Sequence, residues 1–213
     1  MADRFPLRAL CLLLCLLGWA LSGAAATPQR IISLTPHLTE LLYDIGAGDR
    51  VVATDDASDF PPEVAPLPRV ANYRSINLEA LLAQKPDLVV AWRSAQSRML
   101  APVEKLGIPV FYSEPTDFAS LADEMRSLGR LLGTRQKADQ QADAYLARLD
   151  ALKQRYGKPK PVSVFYQLWY PPLTSVNDST WPGHAIRLCG GRNIMADASS
   201  PYPQVGLEQV IKA

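Results

Sequence analysis

An internal repeat constrains the fold of this chain more than any other feature of its sequence. Residues 73–84 align without gaps on residues 202–213, and a Tyr, a Leu and a Glu are identical in the two copies. Upstream, residues 39–53 and 184–196 share one pattern: an apolar helical segment, a glycine stop and an apolar run. Repetition on this scale predicts two similar lobes, and paired lobes create a cleft of the kind that holds small molecules.

Short apolar runs alternate with segments of helical spacing in the first half of the chain. The pattern predicts strands and helices in turn: strands at 30–33, 51–54, 87–92 and 109–112, and helices at 38–45, 78–84, 97–106 and 118–132. Such alternation implies parallel βαβ units with helices on both faces of the sheet. The prediction is an α/β lobe over residues 27–132.

A long amphipathic segment follows at residues 135–156, with apolar residues three and four apart and no Gly or Pro. As one helix it would run about 33 Å. It could be a surface helix of the first lobe, but a fresh strand-helix pattern begins at Val162, so we predict a connecting helix over 133–158. The fold class is then two Rossmann-like βα lobes joined by one long helix. The second lobe, 159–213, is expected to be incomplete because its repeat copy lacks the strand that follows in the first.

The first 26 residues have the pattern of a secretory signal. Two arginines precede an apolar run at 9–21, which closes on alanines at 24–26, so we expect cleavage after Ala26. A membrane anchor would need about 20 apolar residues. A lipid-modified cysteine is disfavoured because Cys11 and Cys15 both follow leucine.

Charge and cysteine content limit the functions open to the exported chain. The sequence has 22 basic and 21 acidic residues, and the signal removes two and one of them, which leaves 20 of each. Zero net charge gives no electrostatic case for binding nucleic acid or an anionic membrane. Cys189 would be the one cysteine left in an oxidising compartment. Either it is buried and inert, or its disulfide partner lies beyond the end of this sequence.

Several short motifs resemble one family of proteins, the periplasmic binding proteins of ABC importers for iron chelates and cobalamin, and within it the cobalamin branch. The matching stretches are 30–36, 39–41, 58–62, 77–79, 85–93, 106–110, 189–194, 202–205 and 208–210. The resemblance implies a class III periplasmic binding protein, a monomer without catalytic activity. It would hold cobalamin between its lobes as transported ligand, not as cofactor, and deliver it to a permease and ATPase in the inner membrane.

This sequence departs from the family pattern at ligand positions. Ala57 stands where the family has an aromatic residue, and tyrosine replaces tryptophan at 73 and at 202. The family's C-terminal ligand loop and second cysteine are also lacking here.

Aromatic residues are the first candidates for contact with a large, flat, amide-edged corrinoid. The repeat places Tyr73 and Tyr202 at equivalent points, so they should face each other across the cleft. Trp92 and Trp169 follow predicted strands, where open α/β sheets place their ligands. Each could instead be a packing residue. Trp181 lies in a turn and is expected to cap its lobe.

His37 occupies the first strand-to-helix turn, beside the predicted cleft. A neutral imidazole can ligate iron or cobalt. The family has a small residue here, so a contact at the ligand rim, or solvent exposure, is favoured over metal ligation. No two His, Cys or carboxylate residues have metal-ligand spacing, which disfavours a transporter of free metal.

Glu79 and Glu208 form a second pair matched by the repeat. A carboxylate in the first turn of a helix is favoured by the helix dipole, which alone could explain both. The resemblance implies another role, because in the family these glutamates meet arginines of the membrane permease.

Two other functions are alternatives to cobalamin capture. A haem or ferric-siderophore binder belongs to the same family, but an anionic siderophore calls for several arginines in the cleft. Only Arg74 and Arg93 lie near the predicted pocket. An α/β enzyme is disfavoured because the sequence has no Gly-x-Gly-x-x-Gly, Gly-x-Ser-x-Gly or phosphate-loop motif.

Overall fold

The computed structural model describes residues 26–157 and 160–212. The predicted signal therefore lies outside the described residues, apart from Ala26. The strands are β1 Ile31–Ser33, β2 Val51–Asp55, β3 Arg69–Ala71, β4 Leu88–Trp92, β5 Val110–Ser113, β6 Val162–Val164 and β7 Gly191–Asn193. The α-helices are α1 Pro36–Asp44, α2 Leu78–Ala83, α3 Arg93–Lys105, α4 Phe118–Leu131, α5 Arg135–Tyr156, α6 Trp181–Leu188 and α7 Leu207–Lys212. No helix in these ranges is long and apolar enough to cross a membrane.

Five strands form a parallel sheet in the order β3-β2-β1-β4-β5. The central strand is β1, whose Ile31 pairs with Val51 on one side and Leu88 on the other. All of β1 and the first four residues of β4 are buried. These strands are apolar apart from Ser33 at the carboxyl end of β1, because helices cover both faces of a parallel sheet.

Successive residues of each strand enter two separate cores, because side chains alternate across a sheet. Ile31 and Val90 pack on one face with helices α1, α4 and α5. Ile32 and Val89 pack on the other face with α2 and α3. The predicted α/β lobe with helices on both faces is confirmed.

The long helix α5 occurs at the residues predicted for it and contacts both lobes. Ala138 and Ala142 are fully buried in the core of the first lobe, whereas residues 151–157 are exposed. Gly129 of α4 lies against Ala138, so close that a methyl group on Gly129 would overlap the Ala138 side chain. Small residues at this crossing let the two helices approach closely.

The second lobe contains the parallel pair β6 and β7 with α6. The hydroxyl of Thr180 accepts a hydrogen bond from Gly183 N and caps α6. Asn193 is buried and its amide donates to the Val176 carbonyl at 2.9 Å. These bonds hold the connecting loops to the short sheet.

The repeat is confirmed by its helices. Helices α2 and α7 both begin at the leucine of a Leu-Glu pair. The boundaries 27–132, 133–158 and 159–213 remain predictions for the two lobes and the connecting helix.

The structure differs from the predicted elements at three places. Strand β3, only three residues long after Pro68, has no pattern that reveals it in the sequence. Helix α3 begins at Arg93 and not at residue 97, because the Gln96 side chain accepts a hydrogen bond from the Trp92 backbone N–H at 2.9 Å and stabilises an earlier first turn. Strand β6 begins at Val162, where the new pattern was predicted to begin, and is only three residues long.

Gly129→Ala should destabilise the protein because the added methyl group overlaps Ala138 at the crossing of α4 and α5. We expect the free energy of unfolding to fall by about 1–3 kcal/mol, the usual cost of overpacking a core. Urea denaturation followed by circular dichroism measures it. Gly206→Ala is the control, since its nearest neighbour would lie 3.9 Å away. An equal loss in both variants would contradict a specific close approach of the helices.

Candidate functional site

The carboxyl ends of the five parallel strands form one edge of the first lobe, and exposed side chains cluster there. His37 follows β1, Phe60 follows β2, Tyr73 follows β3 and Trp92 ends β4. All four side chains are exposed. Because open α/β sheets bind ligands outside the carboxyl ends of their strands, this edge is the candidate site.

A buried polar cluster lies beneath this edge, at the ends of β1 and β2. The hydroxyl oxygen of Thr39 is 2.8 Å from the hydroxyls of both Ser33 and Ser58. Ser58 in turn donates to the Asp55 carboxylate. The Arg69 guanidinium donates to the carbonyls of Asp55 and Ser58 at 3.1 and 2.6 Å. These bonds satisfy buried polar groups and fix the backbone from which the exposed residues project.

His37 stands above this cluster with its imidazole against Trp92. The two ring centroids are 6.0 Å apart at an interplanar angle of 85°. Burial of the ring lowers the pKa of His37 below its ordinary value, and the negative charge of Asp55 opposes that shift. The ring still keeps an exposed surface, so His37 presents a neutral imidazole to solvent at neutral pH.

Trp92 is held at the edge by its backbone. Its N–H donates to the Gln96 side chain at 2.9 Å, and that amide donates to the Leu34 carbonyl at 2.8 Å. The indole is 44% exposed, so Trp92 is not a core residue. The adjacent Arg93 guanidinium lies 4.7 Å from the centroid of the Tyr112 ring.

Tyr73 projects from a tight turn after β3 and is 83% exposed. The Asn72 side chain accepts hydrogen bonds from the backbone N–H groups of Arg74 and Ser75 at 2.8 and 3.0 Å. The Arg74 guanidinium is 4.9 Å from the centroid of the tyrosine ring. The turn is fixed, while the ring stays free to meet a ligand.

The second lobe presents aromatic residues on two loops that are joined to each other. Trp169 is 65% exposed and Tyr202 is 58% exposed. Ser175 N donates to the Pro203 carbonyl at 2.9 Å, and Val205 N donates to the Leu173 carbonyl at 2.9 Å. The two aromatic side chains therefore belong to one connected platform. That Tyr73 and Tyr202 face each other remains a prediction.

The two lobes meet through a small aromatic cluster. The ring centroid of Phe118 lies 5.4 Å from that of Trp181 and 6.1 Å from that of His184. Nε2 of His184 is 3.0 Å from the Thr116 carbonyl oxygen, so Nε2 carries the proton, and Nδ1 accepts from Arg187. Trp181 thus contacts the first lobe, and the expectation that it only caps its own lobe is incomplete.

Glu79 and Glu208 are the second residues of α2 and α7, and both side chains are exposed. The Glu208 carboxylate lies 3.9 Å from the Lys212 ammonium, one helical turn along. The pair is accessible on equivalent helices, as contact with a partner would require.

Cys189 caps the C-terminal end of α6 and is exposed. The expectation of a buried, inert cysteine is therefore wrong. It borders an apolar surface that Val162, Val164 and Ile186 also line. Within residues 26–157 and 160–212 it has no disulfide partner, so its role as a disulfide candidate remains a prediction.

Two features of the site are missed by reasoning from the sequence. Phe60 follows β2 and is 59% exposed, and the rule that selected Trp92 would have selected it. The cluster of Ser33, Thr39 and Ser58 is missed because isolated hydroxyl residues have no periodic pattern. In the described part of the chain, no three His, Cys, Asp or Glu residues form a group that could hold a metal ion.

The fold and this edge define a two-lobed α/β binding protein. The chain belongs to the periplasmic binding protein family, whose sequence profile matches residues 31–213. It is 39% identical over 203 residues to the vitamin B12-binding protein of Vibrio campbellii, covering 95% of this chain and 74% of that one. It is 39% identical over 188 residues to that of Yersinia pestis, covering 88% and 67%.

Solved structures share the fold. The periplasmic vitamin B12 binding protein BtuF of Vibrio cholerae superposes with a TM-score of 0.75 at 38% identity, covering 87% of this chain and 73% of that one. The periplasmic heme binding protein HutB of Vibrio cholerae superposes with a TM-score of 0.77 at 24% identity, covering 86% and 72%. At 24% identity the second likeness concerns the fold alone.

His37 should titrate below the ordinary histidine pKa of 6.5, because burial disfavours its charged form. Asp55→Asn should lower the pKa of His37 further, since the carboxylate is the group that raises it. The ring proton shifts in an NMR titration measure both values, and the second histidine, His184, serves as the reference in the same spectra. A pKa of His37 that rises in Asp55→Asn would contradict this account of the site.

Proposed function

We propose that this protein is the substrate-binding component of an ABC importer and that it captures a cobalamin-type corrinoid between its lobes. The observation that carries the proposal is the set of exposed aromatic rings on loops that follow strands, in both lobes. Trp92 and Tyr73 lie on the first lobe, and Trp169 and Tyr202 on the second. Large aromatic rings that stay exposed on rigid loops are typical of binding surfaces.

The chemistry of these residues suits a corrinoid. Aromatic faces cover a flat macrocycle and supply most of the affinity by burial. The Arg74 guanidinium lies over the Tyr73 ring, and the Arg93 guanidinium lies over the Tyr112 ring, so both can donate hydrogen bonds to amides at the corrin edge. His37 adds a polar side chain between Tyr73 and Trp92 that can contact the ligand.

Haem or a ferric siderophore is the second candidate ligand. The solved heme-binding relatives support it through fold alone, whereas relatives named for vitamin B12 reach 39% identity. A siderophore with several negative charges would need more cations than the two arginines at this edge provide.

The remaining parts of the proposal concern the cellular location, the oligomeric state and the partner proteins. We propose export to the periplasm, action as a monomer, and delivery to a permease and ATPase of the inner membrane. The role is binding and not catalysis, with cobalamin as cargo and no cofactor. Glu79 and Glu208 would dock on the permease, because both are exposed at equivalent positions of the two lobes.

Calorimetry with cyanocobalamin and with haemin tests the ligand. We expect saturable binding of one cyanocobalamin per chain, because the two lobes build one cleft. No heat with cyanocobalamin, together with saturable binding of haemin, would move the assignment to haem.

Tyr73→Ala and Tyr202→Ala should each weaken cyanocobalamin binding by about 1–3 kcal/mol, the scale of a buried aromatic contact. The lobes should stay folded, since both rings are exposed in the free protein. Tyr156→Ala, at an exposed tyrosine on α5, is the matched control and should bind as the wild type does. Unchanged affinity in both test variants would show that these tyrosines do not clamp the ring.

The double variant Glu79→Lys, Glu208→Lys should bind cyanocobalamin normally and lose transport, because it places cations opposite arginines of the permease. Each change should also lower the free energy of unfolding by about 0.3–1 kcal/mol through the helix dipole, so thermal unfolding is measured alongside uptake. Asp150→Lys, at an exposed carboxylate on α5, is the charge control. Uptake at the normal rate by the double variant would exclude the docking role.

A further inference from the structure

His37 lies at the middle of the candidate site. Its strand, β1, is central in the order β3-β2-β1-β4-β5. Neighbouring strands are about 4.8 Å apart, so the carboxyl end of β4 lies about 5 Å, and that of β3 about 10 Å, from the end of β1. Tyr73 and Phe60 stand on one side of His37 and Trp92 on the other. A macrocycle that contacts the aromatic residues on both sides would also cover the histidine.

The imidazole of His37 is free to bind a ligand. Within residues 26–157 and 160–212 neither of its ring nitrogens has a hydrogen-bond partner, and the Trp92 ring holds it edge-on. The chain has two histidines. The other, His184, uses both nitrogens, on the Thr116 carbonyl and on Arg187. Of the two histidines, His37 is therefore the one whose ring nitrogens are available to a ligand.

The protonation state of His37 fits this use. Burial of the ring lowers its pKa, so the neutral form with a free lone pair prevails at neutral pH. Neutral imidazole nitrogen is a good ligand for cobalt and other transition metals.

In place of the rim contact that the sequence favours, we propose that His37 supplies an axial nitrogen ligand to the cobalt of a bound corrinoid, and that the site prefers corrinoids with an exchangeable axial position. This rests on the proposed function and names the class of corrinoid that the site takes. In the binding step the lone pair of one ring nitrogen forms a bond to Co(III) while the bond from cobalt to water breaks. The water leaves, cobalt keeps its oxidation state, and no proton moves.

Two probes with the same ring test the inference. Diaquacobinamide carries exchangeable water at both axial positions, and dicyanocobinamide carries cyanide at both. The absorption spectrum of a Co(III) corrinoid depends on its axial ligands. The purified protein should shift the spectrum of diaquacobinamide on binding and leave the spectrum of dicyanocobinamide unchanged.

His37→Phe is the decisive variant, because it keeps an aromatic ring against Trp92 and removes the nitrogens. It should abolish the spectral shift and weaken binding of diaquacobinamide by about tenfold or more, since the loss of even an outer-shell partner of a metal ligand costs about 10- to 100-fold. Affinity for dicyanocobinamide should fall by a much smaller factor, because with that probe only the polar contact of the imidazole is lost. His37→Ala should lose the spectral shift as well.

The outcomes separate this inference from the proposed function. If cyanocobalamin and dicyanocobinamide bind but diaquacobinamide shows no shift, or shows the same shift in His37→Phe, axial ligation by His37 is wrong and corrinoid capture stands. If none of the corrinoids binds the wild-type protein, the proposed function fails and the inference fails with it.

Discussion

Burial of β1 and β4 on both faces is the constraint on which the site depends. Ile31 and Ile32 are adjacent in sequence, and both are fully buried because they enter different cores. A strand of a parallel sheet that is covered on both faces is mainly apolar, so polar residues appear at its carboxyl end, as Ser33 does in β1. That requirement places the residues able to meet a ligand at one edge of the sheet.

The edge is stiffened from below by polar bonds that the apolar core cannot supply. The hydroxyls of Thr39 and Ser58 and the carboxylate of Asp55 satisfy one another in a buried cluster that Arg69 joins to the backbone. Such a cluster is costly if any member is lost, because a buried donor or acceptor would be left unpaired. The negative charge of the Asp55 carboxylate also raises the pKa of His37 and so opposes the effect of burial. Asp55 therefore both stabilises the buried cluster and influences the charge state of the site.

Much of this arrangement could be predicted from the sequence, for identifiable reasons. The repeat predicted the matching helices α2 and α7 because each copy has a Tyr, a Leu and a Glu at the same positions. Strand β3 could not be predicted, since three residues are too few to show periodicity. The exposure of Trp92 was predictable from its place after a strand, whereas the exposure of Cys189 was not, because a helix end next to glycines is equally compatible with burial. The contact of His184 with Thr116 joins residues far apart in sequence and has no local pattern.

The hydrogen bonds between the two loops of the second lobe have a consequence for the kinetics of capture. Ser175 and Val205 tie the loop of Trp169 to the loop of Tyr202 before any ligand arrives. A ligand therefore does not have to order these loops on arrival, a step that costs about 0.5–1.5 kcal/mol for each immobilised side chain. The association rate constant for a preordered surface is high and varies little among related ligands. Discrimination between corrinoids would therefore come from differences in their dissociation rate constants.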